Sequence, residues 1–439
     1  MINLQIRKES NFEYIEKGIL NLSVDEVTEY YLEYIENYIV LDNKFGFNES
    51  IDKNFIIDQI RNCESQKKLS YMPFGIKDVF NTKVLPTSMG SQIWKGFKAG
   101  NNARVVDNLL FNGGIIFSKT TTAEFAVHFI TPGKTKNPYN INHITGTSSS
   151  GSAVAVACGA LPIALGTQTA GSIIRPASFC GVYGFKPSFG SIDRTGVLKT
   201  NDTFDTIGLL SADIHGIKKT FYSIFQKGRD YPYSVNFFEN FSEYKKNFSK
   251  LRIGILDNSL NVFKNFSNEV LADFELAKKT IEENFELREL KGIDFLNEIH
   301  PIHEEMYAKS LSYYFQNEIK QNERISDIML EMIKKGERNT AENYVKLSKL
   351  QPVFTNKMNE IFKQIDFIIV PATATPAPKL GNKEVDDTCL IWTYLGYPAL
   401  TIPLFVDDLG LPYGLQVISK KHSDLALLDF CEELSMLFN

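Results

Sequence analysis

The sequence predicts an α/β chain, a sheet with covering helices, and three observations carry that prediction. First, 439 residues at 43% hydrophobic content suffice for a large core, in one big domain or two. Second, from Met72 to Ser211 short apolar runs broken by Gly, Pro and Asn alternate with helix-period stretches such as Ala103 to Phe111. Third, strand-like segments return near the C-terminus, and no internal repeat or low-complexity linker separates the two regions. A single continuous domain is therefore preferred to two separable ones.

Taken in order, Val27, Tyr31, Ile35 and Ile39, then Ile56 and Ile60, recur at helical spacing, so two or three helices lead in over residues 1–66. Phe74-Gly-Ile-Lys-Asp-Val-Phe80 reads as an apolar strand-like segment with Lys77 inside it. Ala153 to Cys158 has the small residues of a tightly packed helix, which Gly159 and Pro162 stop. Ile163-Ala-Leu165 is short enough for a buried strand, Gly166 begins a loop, and Ile173 to Phe179 starts a helix with Pro176 tolerated in its first turn. Leu251 to Leu256 is another strand, followed by an amphipathic helix from about Glu269 to Asn284. Long helical patterns fill Phe295 to Lys363, and residues 293–365 read as a helical, substrate-shaping insertion. Phe367 to Val370, Pro398 to Pro403 and Leu411 to Ile418 are further strands, and Asp424 to Leu437 closes the chain as a helix.

Composition narrows the function classes. A net charge of −5 with cations scattered among anions gives no basic footprint for nucleic acid. Cys63, Cys158, Cys180, Cys389 and Cys431 are widely spaced without a CxxC pair, so reduced thiols and no metal are expected. The start of the chain lacks an apolar core of signal-peptide length, and Ala153 to Leu165 is too short to span a bilayer. A cytoplasmic location and no membrane partner are expected. His300 and His303, three apart beside Pro301, have a possible metal spacing, but Glu298, Glu304 and Glu305 favour an exposed helix start. Ser65-Gln-Lys-Lys68 and Ser242-Glu-Tyr-Lys245 match Ser-x-x-Lys in charged surface contexts and are read as chance.

The chemistry concentrates between Gly146 and Arg194, where Gly, Ser, Thr and Ala crowd together. Small residues let backbone approach a bound group and leave N–H donors unobstructed, as a site for developing negative charge requires. Ser172 falls at a loop-to-helix junction, where the N–H groups of Thr169, Ala170, Gly171 and Ser172 can converge on one oxygen. A serine nucleophile needs a base, yet the Gly-x-Ser-x-Gly elbow of a Ser-His-Asp hydrolase is absent around Ser172. A lysine kept neutral by burial serves the same purpose, and Lys77 sits among Phe74, Ile76 and Phe80. Lowering its pKa from about 10.4 to near 7 requires about 4 to 5 kcal/mol of differential stabilisation. Asp78 opposes that shift only if it faces Lys77, and adjacent strand residues point to opposite faces.

These segments resemble the hallmark of the amidase signature enzymes. The matching residues are Gly146-Thr-Ser-Ser-Ser-Gly-Ser152, Gln168-Thr-Ala-Gly-Ser-Ile-Ile-Arg-Pro-Ala177 and Phe179-Cys-Gly-Val-Tyr-Gly-Phe-Lys-Pro187, with 24 positions from Ser148 to Ser172. Pro73-Phe-Gly-Ile-Lys-Asp78, Gly114 to Thr120 with Glu124-Phe-Ala126, and Gly410 to Gln416 extend the likeness, which is good over 72–214, the signature core, and thin elsewhere. The resemblance implies one amidase domain over 1–439, with a large, mostly mixed central sheet covered on both faces by helices. It also implies Ser172 as nucleophile, Ser148 as a bridging serine after a cis peptide, Lys77 as base, the backbone N–H groups of residues 169 to 172 as oxyanion hole, and no cofactor. The chain departs from the pattern at Thr147 and Ala170, each in place of Gly. It departs again at Gln168 and Ile174, which replace a flanking Asp and Arg, with Arg175 one place later. Losing both charges together is what a compensated change looks like, so Gln168 is expected to hydrogen-bond locally and Arg175 to find a different partner.

Phe125, Phe129 and Trp392 are candidates for the substrate pocket, as are Tyr307, Ser310, Tyr313, Tyr314 and Phe315, although aromatic stripes are more often core. Three function classes follow: an amidohydrolase acting alone on a small-molecule amide, the glutaminase subunit of a tRNA-dependent amidotransferase, and a catalytically silent scaffold. Oligomeric state is open, a homodimer being one option.

Overall fold

The computed structural model describes residues 10–64, 66–127, 133–225 and 251–438. Among the described residues eleven strands form one sheet: β1 (Asn48–Ile51), β2 (Pro73–Lys77), β3 (Ile115–Thr120), β4 (Ile163–Gln168), β5 (Tyr183–Lys186), β6 (Thr206–Ser211), β7 (Arg252–Ile255), β8 (Glu286–Glu289), β9 (Phe367–Pro371), β10 (Ala399–Val406) and β11 (Pro412–Ser419). Their order is β1-β3-β2-β4-β6-β5-β10-β11-β9-β7-β8. The sheet is mixed. β2 runs parallel to both β3 and β4, and β7 parallel to both β8 and β9, whereas β4–β6, β5–β6, β5–β10, β10–β11 and β9–β11 are antiparallel.

Alternation along single strands shows that both faces of the sheet are covered. On β9, Phe367 and Ile369 belong to one hydrophobic cluster, Ile368 and Val370 to another. On β11, Leu415 and Val417 join the first cluster and Ile418 the second. Successive strand side chains point to opposite faces, so a sheet dividing two cores must be apolar on both. That explains why these strands read as continuous apolar runs.

Among the described residues three helices lead in, at Phe12–Ile19, Val24–Phe45 and Lys53–Arg61, burying the helix-period residues Val27, Tyr31, Ile35, Ile56 and Ile60. Ser23 opens the second with a capping box, its hydroxyl accepting from Glu26 N while the Glu26 carboxylate accepts from Ser23 N. Ser23→Ala is expected to cost about 1 kcal/mol in urea unfolding without changing activity. Helices Ile299–Tyr314, Asp327–Arg338, Ala341–Ser348 and Leu350–Ile361 occupy the long helical region. Two of them join the signature region through a third cluster, in which Phe125 packs on Phe315 with ring centroids 4.5 Å apart.

The small-residue helix is Ser150–Ala157, every residue of it buried. A Cβ on Gly151 would lie 2.3 Å from Thr121 N and 2.7 Å from the Phe47 carbonyl oxygen. Only hydrogen fits there, which is one physical reason for the composition of the block.

Candidate active site

Sheet topology brings Lys77 to the serines. β2 and β4 are parallel neighbours, with Ile76 level with Leu165, so Lys77, the last residue of β2, ends beside Thr167 near the C-terminal end of β4. Ligand sites of α/β sheets form outside the carboxyl ends of such strands. Lys77 Nζ lies 2.7 Å from Ser148 Oγ and donates to Thr167 Oγ1 at 2.8 Å, with the Thr167 carbonyl 3.4 Å away. Lys77 is fully buried, and burial drives its pKa well below the ordinary lysine range against the pull of Asp205. Asp78 faces elsewhere: it pairs with buried Lys119 at 3.1 Å.

Ser148 is buried and follows a cis Thr147–Ser148 peptide. Its carbonyl accepts from Thr122 Oγ1 at 3.1 Å and from Ala123 N at 3.3 Å. Gly146, just before it, has φ +80°, and a Cβ there would meet Pro176 Cα at 2.7 Å.

Ser172 is half-buried and lines a cavity of about 410 Å³. Thr169, Ala170, Thr147 and Arg175 share that wall, and His300, His303, Glu304 and Tyr307 face them from the helix Ile299–Tyr314. Val127, Met332 and Leu390 supply apolar surface. A smaller cavity of about 190 Å³ borders it at His300, Pro301 and Asp386 but does not reach Ser172.

The departures from the family pattern have local partners. Gln168 Oε1 accepts from the backbone N–H groups of Ile173 and Ile174 at 2.7 and 3.0 Å, and its Nε2 donates to Thr393 Oγ1 at 2.8 Å. The neutral amide thus ties down the turn after Ser172 without a buried charge. Arg175 donates from Nε to Asp387 at 2.8 Å and from Nη1 to Glu384 at 2.7 Å, all three side chains being buried. Glu384 in turn accepts from Thr147 N at 2.8 Å and from Thr147 Oγ1 at 3.1 Å. The side chain at position 147 is therefore part of the same network as the relocated arginine.

Several expectations are corrected. Phe125 and Trp392 are core side chains with no exposure, and the residues that reach the cavity beside them are Ala126, Val127 and Leu390. Aromatic character alone does not say which way a ring faces. Of the helix residues proposed for the pocket, Tyr307 lines it, whereas Tyr313 is exposed and Ser310 accepts from Asn201 Nδ2 at 2.7 Å. His303 is buried, not at an exposed helix start, and burial lowers its pKa to about 4. Phe129, Ser65 and the segment 242–245 lie outside the described residues.

Sequence reasoning missed Thr167, Asp205 and Thr393 around the site, and named His303 only for its spacing from His300. Asp205 accepts from Thr169 Oγ1 at 2.7 Å and from Thr200 N at 2.7 Å, bracing the start of the Ser172 loop. Of these, only Thr167, inside the small-residue block, carried a local signal.

A family model described as Amidase matches residues 26–428. A subunit of the glutamyl-tRNA(Gln) amidotransferase of Clostridium botulinum strain Hall is 31% identical over 91% of this chain and 90% of its own length. Among solved structures, one reported as an amidase superposes with a TM-score of 0.81 at 23% identity over the whole of both chains. A bacterial aryl acylamidase of the amidase signature family superposes with a TM-score of 0.81 at 20% identity, over 97% of this chain and 96% of the other. With nearly its whole length matched and the mixed sheet reproduced, the chain belongs to the amidase signature family, whose members are hydrolases of amide bonds.

Proposed function

We propose that this chain hydrolyses the C–N bond of a small or medium carboxamide through an acyl-enzyme on Ser172, with Ser148 as proton bridge and Lys77 as base. The observation that carries the reading is the 2.7 Å approach of a buried, pKa-lowered Lys77 to Ser148, beside a cavity onto which Ser172 opens. A neutral amine has two N–H donors and one lone pair. Thr167 Oγ1 and the Thr167 carbonyl stand where the donors go, and the lone pair is left for the Ser148 hydroxyl. Ser148 gives its proton to Lys77 and takes one from Ser172 as Ser172 Oγ attacks the carbonyl carbon. The relay then reverses, protonating the departing nitrogen, and water releases the acyl group by the same path. The carbonyl oxygen, negative in the tetrahedral intermediate, is held by backbone N–H groups of the loop from Thr169 to Ser172. A cavity of about 410 Å³ suits a compact substrate.

The similarity to one chain of a glutamyl-tRNA(Gln) amidotransferase supports a second reading, in which glutamine is the amide and partner chains use the ammonia. Fluorophosphonate labelling tests the first reading: an adduct is expected in the purified chain and none in Ser172→Ala. A panel of aryl, aliphatic and peptide amides with glutamine then separates the two. Turnover by the chain alone supports the first, and glutamine turnover only after partner chains are added supports the second. An unlabelled wild-type chain contradicts the first. No helix among the described residues is long and apolar enough to cross a membrane.

A further inference from the structure

We propose that His303 and Thr393 are positioning residues that aim the oxyanion donors of the Ser172 loop. The inference rests on the reading of Ser172 as nucleophile and concerns how its loop is held. In a trans peptide unit the C=O and the following N–H lie in one plane and point in opposite directions. Fixing a carbonyl therefore fixes the direction of the next N–H. Three consecutive carbonyls in this loop are fixed. The Thr169 carbonyl accepts from His303 Nε2 at 2.8 Å, the Ala170 carbonyl from Thr393 Oγ1 at 2.7 Å, and the Gly171 carbonyl from Arg175 N at 2.9 Å. The N–H groups turned away from them are those of Ala170, Gly171 and Ser172, and among the described residues none of the three donates to another protein group.

The two side-chain anchors are themselves constrained. A carbonyl can only accept, so His303 carries its proton on Nε2. The ring is fully buried, stacked on Phe204 at 4.6 Å and 24°, and neutral above about pH 4. Thr393 Oγ1 accepts from Gln168 Nε2 at 2.8 Å, which directs its own proton towards nearby carbonyls, Ala170 at 2.7 Å being closer than Cys389 at 3.1 Å. His303 comes from the helix Ile299–Tyr314 and Thr393 from the helix Cys389–Tyr394. The cavity wall opposite Ser172 is thereby coupled to the donors that stabilise the intermediate. Stacking on Phe204 would account for a core histidine, but not for the bond to this carbonyl.

The test uses the full chain and a fluorophosphonate, whose phosphoryl oxygen takes the oxyanion position in the adduct. His303→Phe keeps a stacking ring without a donor, and His303→Gln restores an N–H donor. The maximal inactivation rate is expected to fall about 100-fold in His303→Phe, with half-saturation changed by less than about threefold. His303→Gln is expected to recover at least about tenfold of that loss. A His303→Phe rate within about threefold of wild type, or equal losses in Phe and Gln variants, overturns the proposal. If His303→Phe does not fold, Thr393→Val and its rescue by Thr393→Ser are judged by the same criteria. An adduct that persists in Ser172→Ala instead overturns the nucleophile assignment, so the two failures are distinct.

Discussion

Lys77→Met is expected to lower turnover and the rate of Ser172 labelling by about 10⁴-fold in a chain that still folds. Methionine matches the lysine stem in length and suits a site buried on every side, so the substitution removes the amine and little else. The Ser148 hydroxyl, 2.7 Å from Nζ, then has no base to receive its proton. Because Lys77, Ser148 and Ser172 act as one unit, Lys77→Met with Ser172→Ala should be no worse than the weaker single variant. The pH dependence has a definite sign. The working species is the neutral amine, so the wild-type rate falls as pH drops through the lowered Lys77 pKa and is sustained well below the ordinary lysine value of about 10.4. Stability follows the same protons. With the folded-state pKa depressed, the unfolded chain binds more protons between the folded and unfolded pKa values, so wild-type stability rises with pH across that interval. Lys77→Met lacks this term, and its thermal midpoint should show a flatter rise with pH up to about pH 10.

Arg175→Met is expected to destabilise the chain by about 3–5 kcal/mol, read as a shift of the denaturant midpoint. Arg175 is the cation held at hydrogen-bond distance by both Glu384 and Asp387, which are only 4% and 1% exposed. Without it two carboxylates remain buried side by side, each lacking its main counter-charge. The variant also releases one of the constraints on Glu384, which holds both the N–H and the hydroxyl of Thr147 beside the site. Labelling of Ser172 should therefore slow as well. A variant as stable as wild type would show that the network is solvated and not structural.

The elements were largely legible because their causes are local. Small residues at 146 to 159 permit the close approach seen at Gly151, and a lysine inside an apolar strand signals a buried amine. Helical spacing placed the lead-in helices, and paired loss of two charges pointed to Gln168 and Arg175 acting through other partners. What stayed hidden depends on contacts between distant segments. His303 meets the Thr169 carbonyl 134 positions away, and Thr393 meets Ala170 across 223, with nothing in the flanking residues to announce either. Phe125 and Trp392 misled because a large aromatic fits a pocket wall and a core equally well, and only packing decides. Glu298, Glu304 and Glu305 suggested an exposed helix, whereas the helix turns His303 inward and keeps those carboxylates outside its buried face.

The claim that Lys77 is a neutral base is tested most directly by its protonation state. In a chain labelled with ε-¹³C lysine, the resonance missing from Lys77→Met identifies Lys77. The account predicts that this resonance titrates well below the surface lysines, whereas a resonance that titrates with them near pH 10.4 would contradict the account.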